Sequence, residues 1–136
     1  MLTEALRRAY AATSYTVRAD GRILTARLDQ QSPEIDALLA AHGAAQGVFI
    51  VAWNPGSKRR DEAANRAAHA ELVRELRQRG LAWLPHVGRG DDGWQEEGCF
   101  VLDLNDADAD GLARRFGQNG VVRIARGAAA ELLTPD

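Results

Sequence analysis

Residues 48–60 read VFIVAWNPGSKRR, a stretch that combines a strand pattern, a turn and a cluster of cations. Val48 to Trp53 is almost continuously apolar, whereas a strand with one face in water alternates apolar and polar residues. This pattern predicts a strand in the interior of a sheet. Asn54-Pro55-Gly56-Ser57 then supplies turn-forming residues, which are followed by Lys58, Arg59 and Arg60 and by a long helical pattern.

Helix and strand signals alternate along the rest of the chain. N-capping residues and stop glycines predict four helices, which begin near Thr3, Ser32, Asp61 and Asn105. Asp20-Gly21 separates two alternating runs and predicts a β-hairpin. Further strands are expected at 48–53, 81–87, 99–104 and 120–125, with 128–134 as either a short strand or a frayed helix. We predict one α+β (α/β-like) domain over residues 1–136, without a linker, in which a mixed sheet of about six strands packs with about four helices.

Composition excludes several classes of protein. The chain of 136 residues is 46% hydrophobic and has a formal net charge of -2, which gives no signal for binding nucleic acid or an acidic membrane. No segment approaches the roughly 18 apolar residues of a membrane span, and the N-terminus does not resemble a signal peptide. The single cysteine, Cys99, lies in an apolar run, which predicts a buried, unreactive thiol in a reducing compartment. We therefore expect a cytoplasmic protein of bacterial type.

The loop at residues 54–57 is the first candidate site. It follows an interior strand at the sheet edge where open α/β sheets bind ligands, and it precedes a helix whose first N–H groups attract anions. The cations Lys58 to Arg60 would increase that positive potential. Asn54 and Ser57 are therefore candidate ligand-binding residues for an anionic or nucleotide-like small molecule. The alternative is that this loop only turns the chain.

Asn65 is a second candidate residue. Helical spacing places it on the inward face of the third helix, together with Ala68 and Leu72. A buried amide without partners costs on the order of 1–3 kcal/mol, so Asn65 must either bond to the preceding loop or face a cavity. The first possibility is a structural role and the second is a ligand-binding role, and both stay open at this point.

The glycine-rich segment GRGDDGWQEEG, residues 88–98, is the second candidate site. Trp94 offers an aromatic ring for stacking, and only one of Glu96 and Glu97 can point inward, because neighbouring residues of a strand face opposite ways. An inward carboxyl beside Trp94 would have a raised pKa, as general acids and bases often have. We assign this catalytic role to Glu96. The alternative is a solvated acidic hairpin.

No pattern indicates a metal or a cofactor. His42, His69 and His86 lack the spacing of zinc ligands, and Asp91 with Asp92 matches no known cation-binding loop. We therefore expect neither a metal nor a cofactor.

The motifs taken together resemble a known family. Tyr10 with Thr13 and Tyr15, then AWNPGS, Asn65, GRGDDGWQEEG and RRFGQNGVV, occur in this order in the bacterial domain of unknown function 3293, and the resemblance spans about residues 10–133. The resemblance implies a fold and no activity. It also implies a set of site residues, namely Asn54, Pro55, Ser57, Asn65, Trp94, Glu96 and Gln118.

Gln118 is a candidate ligand-binding residue because of this resemblance. It follows Gly117, the expected end of the fourth helix, and precedes the strand at 121–124. If that strand runs antiparallel to the strand at 48–53, Gln118 comes to the same sheet edge as Asn54, and if it runs parallel, Gln118 lies at the opposite edge. We predict the antiparallel arrangement.

Two functions fit these residues. The first is a ligand-binding protein or small-molecule enzyme with its site between the 54–57 loop and the Trp94–Glu97 segment; Glu96 would be the acid/base, Asn54 and Asn65 would orient the ligand, and Trp53 or Trp94 would stack on it. The second is a non-enzymatic protein-interaction module, such as an accessory or immunity-type protein, in which these residues only rigidify loops. A pocket would favour the first function, and a filled core with a flat apolar patch would favour the second.

Overall fold

The elements follow one another in the predicted order. The computed structural model of the protein describes residues 2–135; Met1 and Asp136, the two ends of the predicted domain, lie outside the described residues. The helices are α1 (Glu4–Ala12), α2 (Pro33–Ala41), α3 (Glu62–Gln78) and α4 (Asp106–Arg115). The strands are β1 (Ser14–Ala19), β2 (Arg22–Ala26), β3 (Gln46–Val51), β4 (Trp83–Arg89), β5 (Gln95–Leu102), β6 (Val121–Ala125) and β7 (Glu131–Leu133).

Each helix begins where a side chain caps it. The side-chain oxygens of Thr3, Ser32, Asp61 and Asn105 each accept a hydrogen bond from a backbone N–H in the first turn of the helix that follows. Such caps satisfy N–H groups that have no partner within the helix, which is why these positions are readable in the sequence. The four predicted helices are therefore confirmed.

The strands form one sheet in the order β2-β1-β4-β5-β3-β6-β7. Throughout residues 2–135 the paired strands are antiparallel, which corrects the expectation of a mixed sheet. The reason lies in the crossovers. Helix α3 joins β3 to β4, which run parallel, but β5 lies between them; likewise α4 joins β5 to β6, with β3 between them. This is the split βαβ arrangement of ferredoxin-like folds.

Strand β3 lies inside the sheet between β5 and β6, as its apolar sequence predicts. Val48 and Ile50 contribute to a core on the face that α3 and α4 cover. Phe49 contributes to a second core on the opposite face, which includes residues of α2. The strand is continuously apolar because both of its faces are buried.

The sheet curls until its two ends meet. The segments next to the edge strands β2 and β7 form a parallel bridge between Leu28 and Ala130, and the Asp29 N–H donates to the Ala130 carbonyl at 2.9 Å. Residues 128–134 were predicted as either a strand or a frayed helix, and part of this segment forms strand β7. The sheet therefore has seven strands instead of about six. Within residues 2–135 there is no helix of sufficient length and apolar character to span a membrane.

The predicted loop at 88–98 is shorter than expected. Strand β4 continues to Arg89 and β5 begins at Gln95, so that only residues 90–94 form the turn. Cross-strand pairing of Gly88 with Glu96 and of His86 with Gly98 extends the hairpin into glycine-rich sequence. Strand pairing here outweighs the local preference of glycine for turns.

Candidate functional site

A cavity of about 280 Å³ opens on the face of the sheet that also carries Phe49. Helix α1 covers one side of the cavity, and the β4–β5 turn forms another. The 54–57 loop and the start of β6 contribute the remaining walls. The polar side chains that line the cavity are Tyr10, Thr13, Tyr15, Ser57, His86, Asp91, Asp92, Trp94, Glu96 and Gln118.

A missing side chain in the sheet makes room for this cavity. Tyr15, Gly88 and Glu96 lie directly opposite one another on β1, β4 and β5. Directly opposed residues project to the same face of a sheet, so Tyr15 and Glu96 stand on either side of a position that has no side chain. Gly88 thus leaves an open space between a phenol and a carboxyl group.

Glu96 is the acid that points into the cavity. Its carboxylate accepts a hydrogen bond from Asn54 Nδ2 at 3.1 Å, whereas Glu97 is exposed. Burial raises the pKa of Glu96, and hydrogen bonds from Asn54 and Trp94 oppose that rise. Strand alternation predicted that only one of these glutamates points inward, and the structure identifies it as Glu96.

Asn54 and Asn65 bond to each other and do not line the cavity. Asn65 Oδ1 accepts from the Asn54 backbone N–H at 2.9 Å, and Asn65 Nδ2 donates to Asn54 Oδ1 at 3.0 Å. Arg60 Nε also donates to Asn65 Oδ1, at 2.8 Å. These bonds hold Asn54 at φ 49°, a left-handed conformation that asparagine tolerates. Of the two roles left open for Asn65, this geometry is that of the loop brace.

Ser57 and Gln118 both reach the cavity. Strand β6 pairs antiparallel with β3, as predicted, and this brings Gln118 to the edge of the sheet where β3 ends. Gln118 Nε2 donates to the Trp53 carbonyl at 3.1 Å. Ser57 has φ 61°, and its hydroxyl oxygen accepts from Asn119 Nδ2 at 2.8 Å. Trp94 also lines the cavity, while Trp53 does not.

The three cations after the loop lie outside the cavity lining. Arg60 is engaged with the Asn65 amide and the Ala52 carbonyl. The Arg59 guanidinium stacks over the Trp94 ring at 4.7 Å. The N-terminus of α3 carries its own anion, because the Asp61 carboxylate accepts from the Ala64 N–H. The Asp61 carboxylate therefore already occupies the helix end at which the sequence predicts a ligand anion.

Sequence reasoning did not assign a role to Tyr10, Tyr15 or His86. Burial raises the pKa of Tyr10 to about 12, with a smaller contribution from the negative charge of Glu96. Burial also raises the pKa of Tyr15. Both phenols therefore keep their protons at neutral pH. The resemblance to a family included both tyrosines, and this was the one available signal; no motif marked His86.

His86 is a neutral imidazole in the wall of the cavity. The residue is 4% exposed, and burial lowers its pKa to about 4. Nδ1 lies 2.8 Å from the Thr16 carbonyl, and since a carbonyl only accepts, Nδ1 carries the proton. Nε2 is then an acceptor, and it lies on the side of Gly88. In the described part of the chain no group of three His, Cys, Asp or Glu residues is close enough to hold a metal ion.

These observations define an α+β protein with a split βαβ core and an acid-containing pocket at one end of its sheet. The chain belongs to the family described as "Protein of unknown function (DUF3293)", whose model matches residues 50–121. The matched segment runs from the end of β3 to the start of β6 and contains Glu96, Asn54 and Gln118. The predicted resemblance is confirmed over this part of the chain. Comparison with curated proteins and with solved structures found no match.

Proposed function

We propose that the protein binds a small organic molecule in the cavity beside Glu96 and that Glu96 exchanges a proton with it. The proposal covers a ligand-binding protein and a small-molecule enzyme, with Glu96 as the acid/base in either case. The observation that carries it is the position of the Glu96 carboxyl group. The group lines an open cavity, burial raises its pKa, and hydrogen bonds from Asn54 and Trp94 fix its orientation.

The surroundings of Glu96 suit such a role. Two phenols, an imidazole acceptor and a carboxyl group share one cavity, and hydrogen bonds to the protein fix three of them: the Tyr15 and Tyr10 hydroxyls donate to the carbonyls of Tyr10 and Gly120, and the Glu96 carboxylate accepts from Asn54. Perturbed titratable groups that converge in a concave, largely apolar pocket are a general mark of binding and catalytic sites. The left-handed φ of Ser57 adds support, because strained non-glycine residues gather at functional sites.

The sequence-predicted site residues take two parts in this proposal. Ser57, Trp94, Glu96 and Gln118 would contact the ligand, since all four line the cavity. Asn54 and Asn65 would not contact the ligand but would be positioning residues that hold the loop and the Glu96 carboxylate. A cytoplasmic location in a bacterial cell belongs to the proposal as well, and the buried, unpaired Cys99 supports it.

The test is a screen of small fragments by ligand-observed NMR on three forms of the full chain. Gly88→Val places a side chain in the cavity, and a Cβ at Gly88 would make only ordinary contacts, the nearest at 3.6 Å from His86 Nε2. Gly111→Val is the matched control, because a Cβ there meets nothing within 4 Å. We expect the screen to find fragments that bind to the wild type and to Gly111→Val but do not bind to Gly88→Val, whose cavity is filled. Gly88→Ala serves as a smaller obstruction if Gly88→Val fails to fold.

The role of Glu96 is tested on the same fragments. A bound ligand that exchanges a proton with Glu96 shifts the carboxyl titration, which carbon NMR measures directly. Glu96→Gln keeps an oxygen for Asn54 Nδ2 and removes the proton exchange. If every fragment binds wild type and Gly88→Val alike, the cavity is not a ligand site and the proposal fails.

The alternative is a non-enzymatic protein-interaction module, and one observation favours it. The amides of Asn54 and Asn65 brace a loop, which is the role that this alternative assigns to these polar residues. In that case no fragment would depend on Gly88, and changes in the cavity would alter stability alone. The fragment screen therefore separates the two functions.

A further inference from the structure

We infer that the ligand of this cavity carries a positive charge and is a small organic ammonium ion. The inference rests on the proposed function, because it names the chemical class of the ligand for the same cavity. It replaces the anionic ligand that the sequence suggested. Three independent features of the lining support it: its charge, its hydrogen-bond acceptors and its aromatic rings.

The charge of the lining is negative. Glu96 stands inside the cavity, and Asp91 and Asp92 lie at its exposed rim. Among the described residues that line it there is no lysine or arginine. Arg59, which stacks on Trp94, and Arg60, which bonds to Asn65, both lie outside the lining. A negative, partly desolvated cavity favours a cation and disfavours an anion.

The acceptor that points to a ligand is His86 Nε2. The imidazole is 4% exposed, its proton lies on Nδ1, and Nε2 makes no hydrogen bond to any described residue. Nε2 is not among the fully buried atoms that lack a partner, so it is open to the cavity that His86 lines, where it can accept from a donor on a ligand. An ammonium group has three donors and no acceptor, so it matches a neutral imidazole nitrogen and a carboxylate that line the same cavity.

The aromatic rings complete the match. Tyr10, Tyr15, Phe49 and Trp94 all line the cavity. Ring faces attract cations, and the attraction grows when the cation is shielded from water. Trp94 already uses one face in this way, because the Arg59 guanidinium lies 4.7 Å from its ring centre. The cavity volume of about 280 Å³ is near the lower end for ligand sites, so the ammonium ion is small.

The experiment compares ligands that differ only in charge. Phenethylamine and butylamine are each paired with the alcohol and the carboxylate of the same carbon skeleton, and all six are titrated into the full chain by NMR. We expect the amines to bind at least about tenfold more tightly than the matched alcohols, and the carboxylates to bind most weakly. Glu96→Gln should reduce amine binding by about tenfold and leave alcohol binding unchanged, whereas Glu97→Gln, on the exposed neighbour, should change neither.

Each outcome has a distinct meaning. Amine binding that Gly88→Val abolishes and Gly111→Val preserves supports the inference. If the alcohols or the carboxylates bind as well as the amines, and Gly88→Val still abolishes binding, the positive charge is refuted while the cavity remains a ligand site. If the six compounds and the fragments of the earlier screen all fail to bind in a Gly88-dependent way, the inference and the proposed function both fail.

Discussion

Replacing Asn65 by leucine should destabilise the protein through the 54–57 loop. The side chain is 3% exposed and takes part in four hydrogen bonds, two to Asn54 and two to Arg60. Leucine is close in size but can form none of them. The Asn54 N–H would then be buried without its partner, and Arg60 would lose the amide oxygen that holds its guanidinium group.

The magnitude follows from these bonds. A buried N–H without a partner costs about 1–3 kcal/mol, and a hydrogen bond to a charged group contributes about 1.5–3 kcal/mol. Arg60 is exposed, so its guanidinium group can bond to water in the variant, and this offsets part of the free energy lost with the Arg60–Asn65 bond. Asn65→Leu should therefore lower the free energy of unfolding by about 3 kcal/mol, which corresponds to a fall of roughly 10 °C in Tm for a domain of this size.

Denaturant unfolding followed by circular dichroism measures this change. Asn65→Asp is the informative partner variant, because it keeps the oxygen that accepts from Asn54 and Arg60 but loses the Nδ2 that donates to Asn54 Oδ1, and it should therefore lose less stability than Asn65→Leu. Gln78→Leu is the matched control, an amide replaced on the exposed end of the same helix. An unchanged unfolding midpoint for Asn65→Leu would refute the reasoning, because it would mean that the loop does not depend on this amide.

Three further predictions concern buried groups. Glu96→Gln should raise the free energy of unfolding at neutral pH and lose this advantage in acid, because burial raises the pKa of Glu96 and so penalises its ionised form as the pH rises. His86 should contribute a loss of about 3 kcal/mol as the pH falls from about 6.5 to about 4, because burial lowers its pKa to about 4 and only the unfolded chain takes up the proton in that range. Gly47→Ala should destabilise by at least about 2 kcal/mol, because its Cβ would lie 2.2 Å from Cζ of the buried Phe100 ring.

Each of these has its own check. Unfolding of wild type and Glu96→Gln across the acid range tests the first, and equal stability at all pH values would contradict it. Proton NMR of the His86 ring tests the second, which is wrong if the ring titrates near its ordinary value. Gly111→Ala is the matched control for the third: it meets nothing within 4 Å and should stabilise its helix by up to about 1 kcal/mol. Equal effects at the two glycines would contradict the prediction for Gly47.

Much of the fold could be predicted because its causes are local. A cap residue and a stop glycine lie within a few residues of the helix they delimit, so the four helices were readable. The direction of the strands was harder to predict from the sequence. Helices that alternate with strands usually join parallel neighbours, and here an antiparallel strand occupies the space between the two strands of each crossover.

The candidate site was predictable in part. Strand alternation limited the inward acid to Glu96 or Glu97, and the apolar stretch before Asn54 led to the 54–57 loop. The partners of Asn65 could not be chosen from sequence, because a loop carbonyl and a cavity satisfy an inward amide equally well. His86 carried no signal at all, since its role depends on which residues face it across β1 and β5.

The start of each helix, the burial of β3 on both faces, and the rule that only one of Glu96 and Glu97 points inward could all be inferred from the sequence alone. Each of these follows from periodicity or from chemistry within a few residues. Only the tertiary structure placed Tyr15, Gly88 and Glu96 in one row, because register across three strands depends on how distant segments pair. The cavity exists because that row sets a glycine between a phenol and a carboxyl group, and no single stretch of the chain contains that information.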